Sequence, residues 1–186
     1  MNEALSSLDA VDAKGDGAYA RTSFALLAIE QKRLTDAAKY ANDAVTEMVA
    51  EKDAVGEAEA RMALARVMLA SGNVAGARAL SDKATELAAS SGDRVTKLDA
   101  AVVAGMVSAK EGKTDDAIAT LTATAKDART AGQLTTEFDA RLALGETQMA
   151  SGKKAEGRAT LTTLAREAKA RGFALIAQKA TAAAAG

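Results

Sequence analysis

The chain has 186 residues, of which 48% are apolar and only 3% aromatic, and it contains no Cys, His or Pro. This apolar share is large enough to build a sizeable core. The lack of Cys and His excludes disulfides, thiol nucleophiles, imidazole bases and the usual transition-metal sites. The 24 basic and 25 acidic side chains leave a net charge of −1, which gives no overall attraction to nucleic acid or an anionic membrane.

The N-terminal residues are predicted to form a leading helix over 2–14, followed by a polar turn over 12–17. This turn resembles a calcium loop only superficially, because Lys14 occupies a ligand position and Ser23 stands where a bidentate Glu is required. The N-terminus lacks the basic and apolar regions of a signal peptide, and no stretch approaches about 18 apolar residues. We therefore expect a cytoplasmic chain with no membrane segment.

Glycines then mark a regular internal repeat of 40 residues, and they fall into two series. One series is Gly72, Gly112 and Gly152, and the other is Gly92, Gly132 and Gly172. Each lies in a polar turn between segments of about 17 residues whose apolar positions recur at helical spacing. The glycines are thus predicted to end helices in the left-handed conformation, and the absence of Pro favours uninterrupted helices.

This register predicts four helix pairs, at 17–56, 57–96, 97–136 and 137–176, with a C-terminal cap over 173–184. The first pair is the least regular, because Lys32 stands at its turn instead of Gly. Thr114, which precedes two aspartates, is predicted to be the N-cap of the second helix in the third pair. Since the leading helix lacks its own partner, we expect the chain to be a segment of a longer protein.

Small residues recur at fixed spacings within these pairs. In the third pair Gly105 is followed seven residues later by Gly112 and twelve residues later by Ala117. The sets Ala65, Gly72, Ala77 and Gly145, Gly152, Gly157 repeat the pattern, and the first pair keeps Ala25 and Ala37. Over residues 17–176 the chain resembles the tetratricopeptide repeat (TPR) family, with a period of 40 residues instead of about 34. It is most similar to the long-repeat variants of bacterial regulatory proteins and kinesin light chains.

The resemblance implies an all-α, right-handed superhelical solenoid of antiparallel helix pairs, with about four repeats plus terminal helices. It also implies a concave peptide-binding groove lined by the first helix of each pair. The implied groove residues are Tyr19, Thr22, Leu26, Glu59, Met62, Arg66, Asp99, Val102, Met106, Asp139, Leu142, Glu146 and Met149. No catalytic residue, cofactor or metal site is expected.

Two interpretations of these positions remain open. The three methionines suit an adaptable apolar ligand, and the row formed by Glu59, Asp99 and Asp139 would favour Lys or Arg on that ligand. Alternatively, the methionines fill the core and the carboxylates form a solvated helix face.

Arginines recur at one position of the first helices, as Arg21, Arg61 and Arg141. Such a row can bind phosphate or carboxylate groups. The more ordinary interpretation is that they pair with acidic neighbours one turn away, such as Glu57 and Glu137.

The favoured function is a non-catalytic scaffold that holds a peptide or helix carrying apolar and basic residues, with neither nucleic acid nor membrane as partner. The alternative is a structural or self-assembly module within a larger regulatory protein. Residues 1–60 carry a net charge of −6 and residues 150–186 a net charge of +5, which is compatible with head-to-tail contacts. A small-molecule sensor is a third possibility.

Overall fold

The computed structural model describes residues 14–186, with side chains from residue 17 onward. The predicted leading helix over 2–14 lies outside the described residues apart from its last position. The described part is entirely helical. Its helices are α1 (Lys14–Glu30), α2 (Leu34–Glu51), α3 (Ala54–Ala70), α4 (Val74–Ser91), α5 (Arg94–Lys110), α6 (Thr114–Thr130), α7 (Leu134–Ala150), α8 (Lys154–Ala170) and α9 (Ala174–Ala185).

The helices follow the 40-residue step of the sequence. The odd-numbered helices, which we term A helices, begin at positions 14, 54, 94, 134 and 174, and the B helices begin at 34, 74, 114 and 154. Turns of only two or three residues join them, and short connections of this kind are typical of antiparallel helix pairs. An α-helical repeat is therefore present along the described chain.

Two boundaries predicted from the sequence were wrong. The turn over 12–17 is helical from Lys14 onward, because Ala18 is fully buried and must already lie in a formed turn of α1. Thr114 is the first residue of α6 and not its N-cap. Lys113 takes that place, since its carbonyl accepts the first helical hydrogen bond, from the Ala117 N–H at 3.0 Å.

The predicted left-handed helix ends are confirmed. All six repeat glycines have positive φ, between 72° and 84°. In the first pair, where glycine is missing, Lys32 and Lys52 adopt the same conformation, with φ of 57° and 60°. The geometry of the repeat therefore imposes this backbone shape even on residues with a Cβ, which resist it.

The chain divides into two compact units, residues 1–103 and 104–186, and the division falls within α5. In the first unit α1 packs against α2 and α3, α2 packs against α3, and α3 packs against α4. In the second unit α7 packs against α6, α8 and α9, and α8 packs against α9. In each unit an A helix thus contacts both a B helix and the next A helix.

The cores of the two units differ in side-chain size. The first unit's core is dominated by small residues, with Ala25, Ala37 and Ala41 fully buried. The second is built around Phe138 and Leu161, and the ring of Phe138 packs edge-on against Phe173 at 5.3 Å between centroids.

Two A helices approach the following B helix closely at a glycine that faces a leucine. A Cβ placed on Gly105 would lie 2.7 Å from Leu121 Cγ, and one placed on Gly145 would lie 2.5 Å from Leu161 Cγ. At the same register the first pair has Ala25 with Ala41, and the second pair has Ala65 with Ser81. The size of one residue is therefore matched by the size of its counterpart.

Candidate functional site

The A-helix surface of the first unit is acidic. Tyr19 on α1 is 38% exposed, and its hydroxyl donates a hydrogen bond to Asp53 Oδ2 at 2.8 Å. Partial burial, that hydrogen bond and the charges of Asp53 and Glu59 raise the pKa of Tyr19 to about 12. Tyr19 therefore remains protonated and acts as a donor beside a carboxylate.

Glu59 on α3 lies at the centre of this surface and is half-buried. Burial raises its pKa above the usual glutamate value, and the negative charges of Asp99, Asp53 and Asp93 raise it further. Two members of the predicted acidic row, Glu59 and Asp99, thus lie near each other in the first unit, whereas Asp139 belongs to the second unit. We term the surface formed by Tyr19, Asp53, Glu59, Asp93 and Asp99 the acidic face.

Two members of the acidic face also cap helices. Asp53 Oδ1 accepts the Gly56 N–H at 2.9 Å, and Asp93 Oδ1 accepts both the N–H and the hydroxyl of Thr96 at 2.7 Å. These hydrogen bonds, from Gly56 and from Thr96 respectively, lower the pKa of each aspartate. Both aspartates therefore hold their negative charge, and this charge persists next to Glu59.

The predicted groove residues at one equivalent position of the four pairs form a row that lies in the interior. Thr22, Met62, Val102 and Leu142 are between 1% and 8% exposed, and the Thr22 hydroxyl donates to the Ala18 carbonyl at 3.1 Å. Met62 therefore serves the core. The A helices bury several of their sides at once, so this row has little surface to offer a ligand.

The row of predicted groove residues four positions later in each pair is nearer the solvent. Leu26 is 37% exposed on α1, one helical repeat of seven residues from Tyr19. Arg66 and Met106 are half-buried, and Glu146 is exposed. In the first unit Tyr19 and Leu26 thus supply apolar surface beside the acidic face.

The remaining predicted positions belong to the second unit. Asp139 is half-buried on α7. Met149 is also half-buried, and it packs against the core cluster around Phe138. Met149 therefore contributes to the core as well.

The repeated arginines pair with acidic side chains, as the more ordinary interpretation predicted. Arg61 Nε lies 2.7 Å from Glu57 Oε1, and Arg141 Nη1 lies 3.1 Å from Glu137 Oε1. Arginines also reach the following B helix, since Arg21 pairs with Glu47 at 2.9 Å and Arg141 with Glu167 at 2.5 Å. Both of these pairs span 26 residues, so the same link recurs in the two units.

The sequence analysis missed a charged cavity in the second unit. Glu137, only 5% exposed, accepts hydrogen bonds from Arg129 Nε at 2.9 Å and Nη2 at 2.7 Å, and from Arg141. The cavity beside this cluster has a volume of about 440 Å³. Its walls are formed by Arg129, Gly132, Leu134, Glu137, Phe138, Glu167 and Arg171.

A sequence signal for this cavity did exist. Moving back by one 40-residue repeat from Arg129, Phe138 and Arg171 gives Ala89, Leu98 and Ala131. The cavity's residues thus depart from the repeat while the turn glycine, Gly132, conforms to it. Such departures are found by comparing one repeat with the next and not by searching for motifs.

Neither metal ligation nor a membrane segment is found in the part of the chain that the structure describes. Within residues 14–186 no group of three or more Asp, Glu, His or Cys side chains is placed to hold a metal ion. None of the described helices combines the length and apolar character needed to cross a membrane.

In comparisons with known proteins, no family model matches this chain, and no curated protein matches it.

Proposed function

We propose that this chain is a long-repeat member of the TPR family, a right-handed superhelical solenoid that binds a peptide or helix without catalysing a reaction. The 40-residue alternation of A and B helices supports the proposal, as does the packing of A helices on one another within each unit. The buried small residues at the crossing points, such as Ala65 and Ala117, also support it, because they allow the close helix approach that such arrays require.

The acidic face is the observation that carries this proposal. Burial is the main cause of the raised pKa of Glu59, and repulsion by the carboxylates of Asp99, Asp53 and Asp93 adds to it. A Lys or Arg side chain of a partner would relieve the repulsion, while the exposed parts of Tyr19 and Leu26 would cover an apolar anchor. The proposed ligand is therefore a peptide or helix that pairs a basic residue with an apolar one.

Charge inversion on the acidic face provides the test. The substitutions are made at Glu59 and Asp99, which are partly exposed. The predicted groove residue Met62 is avoided because it is buried, and a charged residue there would disrupt the core. A random peptide library is selected against the native chain and against a Glu59→Lys/Asp99→Lys variant. The matched control is Asp82→Lys/Glu86→Lys, which makes the same charge change at exposed positions of the B helix α4.

We expect the native chain and the control to enrich peptides with apolar and basic residues, at an affinity near 1 μM, or about −8 kcal/mol. The acidic-face variant should lose these peptides while keeping its helical circular dichroism. Enrichment of the same peptides by all three proteins would contradict the proposed site, and so would a native chain that enriches none.

The alternative, a structural or self-assembly module, is favoured by a different observation. Leu27, Val49 and Leu175 are 45–50% exposed and lie outside the acidic face. Contacts between copies would remove these apolar side chains from water. Light scattering over a wide range of protein concentration distinguishes the two functions, because a monomer at every concentration excludes self-assembly through these residues.

A further inference from the structure

One arginine at the wall of the charged cavity in the second unit has no partner among the described residues. Glu137 is satisfied by Arg129 and Arg141, and Glu167 is paired with Arg141. Arg171, by contrast, lies exposed at the cavity wall, and its guanidinium makes no ion pair or side-chain hydrogen bond with any residue between 17 and 186. One cationic donor group at this cavity therefore has no partner within the described chain.

The charges around the cavity favour a ligand with a single negative charge. Three arginines face two glutamates when Arg141, which contacts both carboxylates from beside the cavity, is included. A guanidinium fits a carboxylate with two parallel hydrogen bonds. The glutamates would repel further negative charge, so the balance disfavours phosphates and dicarboxylates.

The walls also offer apolar contact. Half-buried Leu134 gives the cavity an apolar wall, whereas Phe138 is only 1% exposed and offers a ligand almost no surface. Arg129 is 62% exposed and can turn towards a ligand while Glu137 keeps its bond to Arg141. The cavity has a volume of about 440 Å³ and is partly open to the solvent, so a bound ligand would remain partly exposed.

We propose that this cavity binds a small monocarboxylate with an apolar body, held by Arg171 and Arg129 and packed against Leu134. The site is formed by α6, α7, α8 and the turns that follow α6 and α8. It does not recur earlier in the chain, because the positions equivalent to Arg171 and Arg129 in the earlier repeats carry no cation. It lies on different residues from the acidic face, so failure of this proposal would leave the peptide-binding proposal untouched.

Benzoate is a suitable probe, and the full chain labelled with ¹⁵N is titrated with it while the amide signal of Gly132 is followed. Benzamide has nearly the same shape without the charge, and phthalate carries a second carboxylate. The variant Arg171→Gln removes the unpaired guanidinium. Arg158→Gln is the matched control, because Arg158 is exposed on α8 and is not part of the cavity wall.

We expect benzoate to shift the Gly132 signal saturably, with binding at least ten-fold weaker for benzamide, for phthalate and for the Arg171→Gln variant. The Arg158→Gln variant should bind like the native chain. The absence of a saturable shift would overturn the proposal. Equal binding of benzoate and benzamide, or full binding by Arg171→Gln, would overturn it as well.

Discussion

The contact between Gly145 on α7 and Leu161 on α8 tests how the repeat matches residue sizes. A methyl group on Gly145 would lie 2.5 Å from Leu161 Cγ and 2.7 Å from Cδ2, well inside the ordinary carbon separation of about 3.5–4.0 Å. Leu161 is fully buried and cannot move out to solvent. Overpacking costs about 1–3 kcal/mol, and the higher helix propensity of Ala offsets about 1 kcal/mol of it. Gly145→Ala should therefore destabilise the fold by up to about 2 kcal/mol.

Leu161→Ala alone should cost about 2–5 kcal/mol, because it removes a buried side chain and leaves a cavity. In the Gly145→Ala background the same change relieves the clash, and the new methyl group fills part of the space. We therefore expect the double variant to be about 1–3 kcal/mol more stable than the two single changes predict when added. The first helix pair already contains this combination, since Ala25 and Ala41 occupy the equivalent positions and both are fully buried.

Urea unfolding of the four proteins, followed by circular dichroism, gives the coupling free energy directly. Ala159→Gly, at an exposed position within α8, measures the helix-propensity contribution separately. A coupling below about 0.5 kcal/mol would refute the size-matching argument, because independent sites add within that limit.

Three further changes can be measured by the same unfolding experiments. Lys32→Gly should stabilise the chain by about 0.5–1 kcal/mol, because glycine adopts the left-handed φ of 57° at this turn without a Cβ penalty. Ser81→Ala should stabilise it by about 1 kcal/mol, since the buried Ser81 hydroxyl has no hydrogen-bond partner among the described residues; an unchanged or lower stability would argue against an unsatisfied hydroxyl. Burial and the neighbouring carboxylates raise the pKa of Glu59 above 4.5 in the folded state, so its ionisation opposes folding above that raised pKa, and the penalty disappears as the pH falls towards 4.5. Glu59→Gln should accordingly raise Tm at neutral pH and give no gain near about pH 4, whereas a gain that is independent of pH would exclude this electrostatic origin.

Most of the helical framework could be predicted from the sequence because it depends on local chemistry. Gly72 and its repeats mark the left-handed helix ends, since glycine alone adopts that backbone without strain. The pairs of Arg61 with Glu57 and of Arg141 with Glu137 follow from one turn of helix spacing. These features need no knowledge of how the helices pack.

The division between core and surface could not be predicted in the same way. Helix α3 buries residues on several sides, including Met62, Leu64 and Val67, and a helix that is apolar nearly all round gives no indication of which side faces a ligand. The cluster of Arg129 and Glu137 depends on the close approach of α6, α7 and α8, which no local pattern encodes.

The lysines at two turns have a consequence for how the chain opens. Lys32 and Lys52 flank α2, and a left-handed backbone costs a residue with a Cβ about 1–2 kcal/mol, a cost that the glycines flanking α8 do not bear. Brief local opening should therefore require less free energy around α2 than around α8. Amide protons of α2 should exchange with deuterium earlier than those of α8. Trypsin, which cleaves after Lys and Arg, should cut at Lys32 and Lys52 before it cuts at the turns flanking α8, which carry Lys153 and Arg171.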